Sequence, residues 1–341
     1  MFAKTIILLF CWITCSYSVV KADIRSNVNL PIIRHTEFEI NVLDNTIYTL
    51  SRVYGGKKRG VYLQLINSDS GILKKSIFID FFENISPGVL GYHDLAFNSN
   101  TQTLYIRKRK ELLVKNAQLK SLKHFKRFKR LIDIKINQQK NKIYVSDAKL
   151  NTVFVIDGST YSISRIATLE KPAQMAIDEL NNKLYVRHLG QKTITVIDTD
   201  LDQVEKTIDL SSIDLSDIWQ IVVDSINNKL LIRDTGTQII TYSLEDDQII
   251  GSNFFHYSCL YENTFLSNPE TGHVYFIGDD GLVSLNFSSE AEFLGTTVIF
   301  SEATNGCSTF KIDTENNLFY VIHNGPDDGN GHLLLTTLDI P

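Results

Sequence analysis

An internal repeat limits what this chain can fold into more than any other feature of its sequence. The segments Ile177-Asp178-Glu179-Leu180-Asn181-Asn182-Lys183-Leu184-Tyr185-Val186 and Val223-Asp224-Ser225-Ile226-Asn227-Asn228-Lys229-Leu230-Leu231-Ile232 follow one template. An apolar strand ends in Asp, a polar turn follows, and a second apolar strand starts with an aromatic or large residue two positions in. Anchored on that residue, the template recurs at Tyr48, Tyr105, Tyr144, Tyr185, Leu231, Tyr275 and Tyr320, with spacings of 57, 39, 41, 46, 44 and 45 residues. The long first spacing fits an insertion holding Gly55-Gly56-Lys57-Lys58-Arg59-Gly60.

Other columns of the repeat behave consistently. Seven residues before each anchor stand Asn41, Asn98, Asn137, Asp178, Asp224, Asn268 and Asp313, side chains that close tight turns by bonding nearby backbone. Ten before come Phe38, Leu95, Ile134, Met175, Ile221, Phe265 and Phe310. Eight before come Ile40, Phe97, Ile136, Ile177, Val223, Ser267 and Ile312, apolar except for Ser267. Two apolar positions separated by two residues put one face of a strand into a core. Later strands are legible at Thr152 to Asp157, Thr193 to Asp198 and Gln203 to Asp209.

Four short strands every ~40–50 residues are the signature of propeller blades. The expected fold is all-β: a seven-bladed β-propeller of four-stranded blades in a single domain. Only Glu111 to Arg130 carries a competing helix-like pattern. After Tyr320 there is room for one strand, Leu333 to Asp339. A ring with no exposed edge therefore predicts closure by pairing of the termini, with Asn27 to Arg34 supplying the missing outer strand.

Residues 1–22 read as a signal peptide, with Lys4 ahead of a short apolar run and Val20-Lys21-Ala22 as a small-residue cleavage pattern. Residues 23–341 then form the propeller. The run is shorter than the ~20 residues that cross a bilayer, and no later stretch is long enough, so no membrane span is expected. The expected location is secreted and extracellular, or periplasmic in a bacterium. Losing Lys4 and Lys21 moves the formal charge from −5 to −7. Cys259 and Cys307 remain, and two cysteines in an exported chain suggest one disulfide.

Asn182-Lys183-Leu184-Tyr185-Val186 and Thr195-Val196-Ile197-Asp198 resemble the YVTN-type propeller repeats of secreted and periplasmic proteins. A looser likeness rests on Ser216-Asp217-Ile218-Trp219-Gln220-Ile221, Asn100-Thr101-Gln102-Thr103-Leu104-Tyr105-Ile106 and Gly281-Leu282-Val283. This layout is similar to that of the insect ommochrome-binding proteins. The first resemblance implies a fold and no chemistry. The second implies carriage of a tryptophan-derived pigment.

In a propeller the innermost strands line a channel whose mouth is the usual ligand site. Eleven before each anchor lies a wholly polar column: Glu37, Asp94, Asp133, Gln174, Gln220, Thr264 and Thr309. Glu37, Asp94 and Asp133 come from successive blades. They are candidates to hold a divalent cation in the channel or the amine of an organic ligand, unless Lys135 and Lys311 neutralise them. Gln174 and Gln220 can bond a carbonyl. Tyr92, His93 and Trp219 lie beside the ring and can stack on a planar ligand, although Trp219 also suits an inter-blade core.

Residues 107–130 hold eleven bases and one acid, Glu111, for a net +10, which leaves −15 on the rest of the chain. Lys126, Arg127, Lys129 and Arg130 interleave with Phe125 and Phe128, as in patches that bind sulfated polysaccharides. Arg127-Phe128-Lys129-Arg130 also fits a furin-type cleavage site. Asn286-Phe287-Ser288 fits a glycosylation acceptor. An anionic partner is thus possible at this segment, while nucleic acid is not expected of an exported acidic protein. No catalytic motif is present: no His-Glu-x-x-His, Gly-x-Ser-x-Gly or phosphate-binding Gly-x-x-x-x-Gly-Lys. The expectation is a non-enzymatic binder of a small planar or polar ligand. The alternatives are an adaptor for protein or glycan acting through the basic blade, and a metal-dependent propeller hydrolase.

Overall fold

The computed structural model describes residues 18–19, 24–30, 35–53, 60–81, 93–236, 238–254, 265–278, 281–287, 293–301, 309–314, 316–324 and 333–340. The strands form seven antiparallel sheets of four, one of which carries a fifth strand. Blades one to six run from His35 to Asp80, Asp94 to Phe125, Leu131 to Ala167, Pro172 to Asp209, Ile218 to Phe254 and Phe265 to Phe300. In each, the chain moves strand by strand from the innermost outward, and the innermost strands of successive blades lie side by side.

Blade seven closes the ring. Thr309–Asp313, Leu318–Asn324 and Leu333–Asp339 supply its inner strands, and Ile24–Leu30 pairs antiparallel with Leu333–Asp339 as the outer one. The expected closure by the termini is present, with the strand a few residues nearer the N-terminus than the sequence suggested. Pro31, which has no N–H to give a ladder, follows Leu30. An Arg25–Asp339 ion pair at 2.6 Å ties the two strands. Ser18–Val19, inside the segment read as a signal peptide, pairs in parallel with Thr297 and Val298 as the fifth strand of blade six.

The repeat columns explain the turns. In all seven blades the Asn or Asp seven before the anchor is buried, and its Oδ1 accepts a hydrogen bond from a backbone N–H two or three residues on. Asn137 accepts from Lys140 at 2.8 Å, Asp178 from Asn181 at 3.0 Å and Asp313 from Asn316 at 3.1 Å. Three before each anchor the backbone is left-handed: Asn45, Gln102, Asn141, Asn182, Asn228 and Asn317 at φ 49–56°, and Gly272 at φ 72°. Asn tolerates this region better than other side-chain-bearing residues, which is why it recurs there. At Gly272 a Cβ would also stand 2.6 Å from Asp224 Oδ1.

Seven apolar clusters fill the seven junctions between neighbouring blades, each drawing mainly on two adjacent blades. The anchors are buried in them. Tyr48 reaches across to the Ala117 carbonyl at 3.0 Å, Tyr144 to Asp202 at 3.0 Å, and Tyr275 packs edge-on against Phe319. Burying such side chains is worth about 1.5–3 kcal/mol each, so the ring is held by its junctions as much as by its sheets. Ser267, the polar exception of its column, donates to the Val223 carbonyl of the blade before it.

Glu111 to Arg130 is not helical. It holds Leu112–Asn116 and Ser121–Phe125, the two outer strands of blade two. The long first repeat is partly accounted for by three strands of eight residues each in blade one; the glycine-lysine insertion lies largely outside the described residues.

Candidate functional site

Side chains alternate along each innermost strand. The positions ten and eight before the anchor pack into the junction with the preceding blade, and Ala96, Ala176, Val222 and Leu266, nine before it, pack into the junction with the following one. The described members of the ring at eleven, Glu37, Asp94, Asp133, Gln174, Gln220 and Thr309, are all buried. Thr264 lies outside the described residues.

The ring does two different jobs. In blades three to five its members stitch each innermost strand to the next. Asp133 Oδ2 accepts from the Met175 N–H at 2.6 Å while Oδ1 accepts from its neighbour Ile134 at 2.8 Å. Gln174 accepts from the Ile221 N–H at 2.9 Å and donates to the Ile221 carbonyl at 3.0 Å. Gln220 donates to the Phe265 carbonyl at 3.1 Å. These amide and carboxylate groups satisfy backbone that the inner edges of the sheets would otherwise leave unpaired.

On the other side of the ring the channel carries charge. Nine before the anchors lie Glu39, Ala96, Lys135, Ala176, Val222, Leu266 and Lys311. Lys311 of blade seven pairs with Glu39 of blade one at 3.0 Å, and Lys135 of blade three with Asp133 at 3.3 Å. These side chains keep solvent contact, 20 % for Glu39, 22 % for Lys311 and 28 % for Lys135. Asp94 lies 3.5 Å from the buried Arg107.

The fields of these groups overlap. Burial raises the Asp94 carboxyl above the usual range against the pull of Arg107, and Asp133 adds to the rise. Burial likewise raises Glu39, with Lys311 opposing. Desolvation alone would lower Lys135 and Lys311, but carboxylates outweigh it and raise both: Asp133, Asp94 and Glu37 at Lys135, Glu39 and Glu37 at Lys311. The lysines that the sequence reading set beside the acids thus act on them. Glu39 escaped that reading, although it stands at the same two-residue step as Lys135 and Lys311.

In blades four to six the same position holds Ala176, Val222 and Leu266, which pack into the blade junctions. Among the described residues no three His, Cys, Asp or Glu side chains are grouped to hold a metal ion, so Glu37, Asp94 and Asp133 do not form a ligand set there.

The aromatic candidates are placed differently. His93 Nε2 lies 3.5 Å from Asp80, which also pairs with Lys108 at 3.0 Å. Burial tends to raise Asp80, but the hydrogen bond and charge of Lys108 bring it below the usual range. Trp219 is half-buried with Arg187 of blade four 5.9 Å from its ring, which gives it a junction role. Tyr92, Cys259 and Cys307 lie outside the described residues, so the expected disulfide does too. Asn286 donates to Thr297 at 2.8 Å from within a strand.

Two columns that the sequence reading passed over fix the end of the channel where the innermost strands begin. Two after the anchors stand Arg107, Arg187 and Arg233, all buried. The first two donate to Leu131 and Ile218 carbonyls, at the start of the next blade, at 3.3 and 2.9 Å. Three after stand Asp147, His188, Asp234 and His323. Asp147 accepts from the Lys129 and Arg130 N–H groups at 2.7 and 3.0 Å. His188 Nδ1 donates to the Glu170 carbonyl at 2.9 Å, so its Nε2, 2.8 Å from Thr195, accepts that hydroxyl proton. Burial holds this neutral ring below the usual imidazole pKa. His323 makes the matching contact to Thr336 at 2.7 Å. The recurring Arg and His or Asp at fixed offsets were the available signal.

No protein-family model matches this chain, and no curated protein matches it either. The fold itself is a seven-bladed β-propeller.

Proposed function

We propose that the protein is a secreted, non-enzymatic carrier of a small organic molecule, bound in the channel at a cluster of charged side chains. The observation that supports this most is the convergence of Glu39, Lys135 and Lys311, all in solvent contact. A zwitterion matches these charges: its amine can meet Glu39 and its carboxylate Lys135 or Lys311. The likeness to ommochrome-binding proteins, and to YVTN-type repeats, is part of this reading and points to tryptophan-derived amino acids.

The test is calorimetric titration of the purified protein with kynurenine and with tryptophan, beside native mass spectrometry of the untreated sample. Saturable binding of kynurenine, weakened about tenfold or more by Glu39→Gln with Lys311→Met, is the expected result; an ion pair or charged hydrogen bond lost inside a site has that size. Equal binding by the wild type and the folded double variant would remove the channel site.

A further inference from the structure

The basic segment of blade two is not used by the channel, and its structure differs from what its sequence pattern implies. Phe125 and Phe128 do not offer rings to a partner. Phe128 is 3 % exposed and packs edge-on against Phe154 at 5.0 Å, and Phe125 is buried beside Tyr161. Turning inward, they fix the loop and leave its bases outside. The loop is held further by Asp147, which accepts from the Lys129 and Arg130 amides, and by the Ala148 N–H, which donates to the Arg130 carbonyl at 2.9 Å. The Leu131 N–H donates to the Arg109 carbonyl at 2.8 Å and brings in the turn of blade two.

Three chain segments thus meet at the end of the ring where the innermost strands begin. They present Lys110, Lys126, Arg127, Lys129 and Lys149 to solvent, with Arg130 half-buried among them. Nearby acid does not neutralise them. Glu111 is engaged by Lys108 at 2.9 Å and His124 at 3.1 Å. Asp147 is surrounded by backbone donors, including those of Lys149 and Leu150 at 3.0 and 3.2 Å. Among the described residues none of these six bases has an ion-pair partner. The rest of the chain carries −15, so this is a local positive surface on an acidic protein.

We infer that this surface binds a linear sulfated polysaccharide. Several fixed cations spread over three segments match a chain of sulfates better than a single anion, and Arg127 and Arg130 can each grip a sulfate with two N–H groups. The inward aromatics separate this partner from two others. Single-stranded nucleic acid gains much of its affinity by stacking on exposed rings, and bilayers favour aromatic side chains at their interface; the segment offers neither.

The experiment uses heparin as the probe, with fluorescence anisotropy of a labelled heparin oligosaccharide on the full chain at about 0.15 M salt and at stepped salt above it. The variant is Lys126→Glu, Arg127→Glu and Lys129→Glu together. The charge-matched control is Lys74→Glu, Lys75→Glu and Lys206→Glu, three bases on the outer strands of blades one and four. The inference expects wild-type binding that weakens with salt, a loss of about tenfold or more in the loop variant, and a loss of less than about threefold in the control. The milder pair Lys126→Ala with Arg127→Ala, which leaves the loop backbone alone, replaces the triple variant if that one misfolds, and should still lose binding. Absence of wild-type binding, equal losses in loop variant and control, or tighter binding to single-stranded DNA or to phosphatidylserine vesicles than to heparin would overturn it.

Discussion

The two sides of the channel use two neighbouring sequence columns in opposite ways. In blades three to five, Asp133, Gln174 and Gln220 are spent on the backbone of the next blade. In blades seven and one, Lys311 and Glu39 pair with each other across the ring closure and keep solvent contact. A polar residue in a propeller channel is therefore no indication of a ligand until its hydrogen bonds are traced. Residues satisfied by backbone hold the ring; residues balanced only by each other are open to exchange a partner for a ligand.

The largest test of this division is Asp133→Ala. Both carboxylate oxygens accept backbone N–H groups, and leaving those donors unpaired should cost about 3 kcal/mol, measured by urea unfolding. Gln174→Ala should cost about 2 kcal/mol in the same assay. Glu39→Gln should cost less than either, about 1 kcal/mol or below, because its pair with Lys311 is partly solvated. A Glu39 variant as damaged as the Asp133 variant would erase the distinction.

A second test uses pH. The folded His188 has a pKa below its ordinary 6.5, so on acidification below neutrality the unfolded chain binds the proton first. Stability should fall as pH drops through about 6.5, and His188→Gln should flatten that slope relative to the wild type. Equal slopes, read from urea midpoints between about pH 7.5 and 5.5, would contradict the neutral buried ring.

The smallest effect concerns the turns. Asn182 is left-handed at φ 56°, so Asn182→Ala should cost about 1 kcal/mol and Asn182→Gly a few tenths, read as shifts in thermal midpoint.

Most of the ring was legible in the sequence because the repeat is set by local chemistry. An Asx residue must close each turn, an Asn, Gln or Gly must take the left-handed position, and alternate apolar residues must fill the junctions. The outer strands Thr152–Asp157, Thr193–Asp198 and Gln203–Asp209 follow from the same logic and have the expected bounds. The candidate site was less legible. That Gln174 reaches Ile221, 47 residues away, and that Lys311 meets Glu39 across the ring closure, depend on which blades adjoin and on which atoms come within reach. Phe125 and Phe128 show the same limit. Their alternation with bases looks like a binding motif, yet it is the blade junction that sets which way they point.

The most direct test of the two-sided channel is to measure stability and kynurenine binding on the same two variants, Gln174→Ala and Glu39→Gln with Lys311→Met. The account predicts that the first loses about 2 kcal/mol of stability and still binds once folded, while the second keeps nearly all its stability and loses binding. If binding follows stability in both variants, the charged cluster is only part of the scaffold, and the division between the two sides of the channel is wrong.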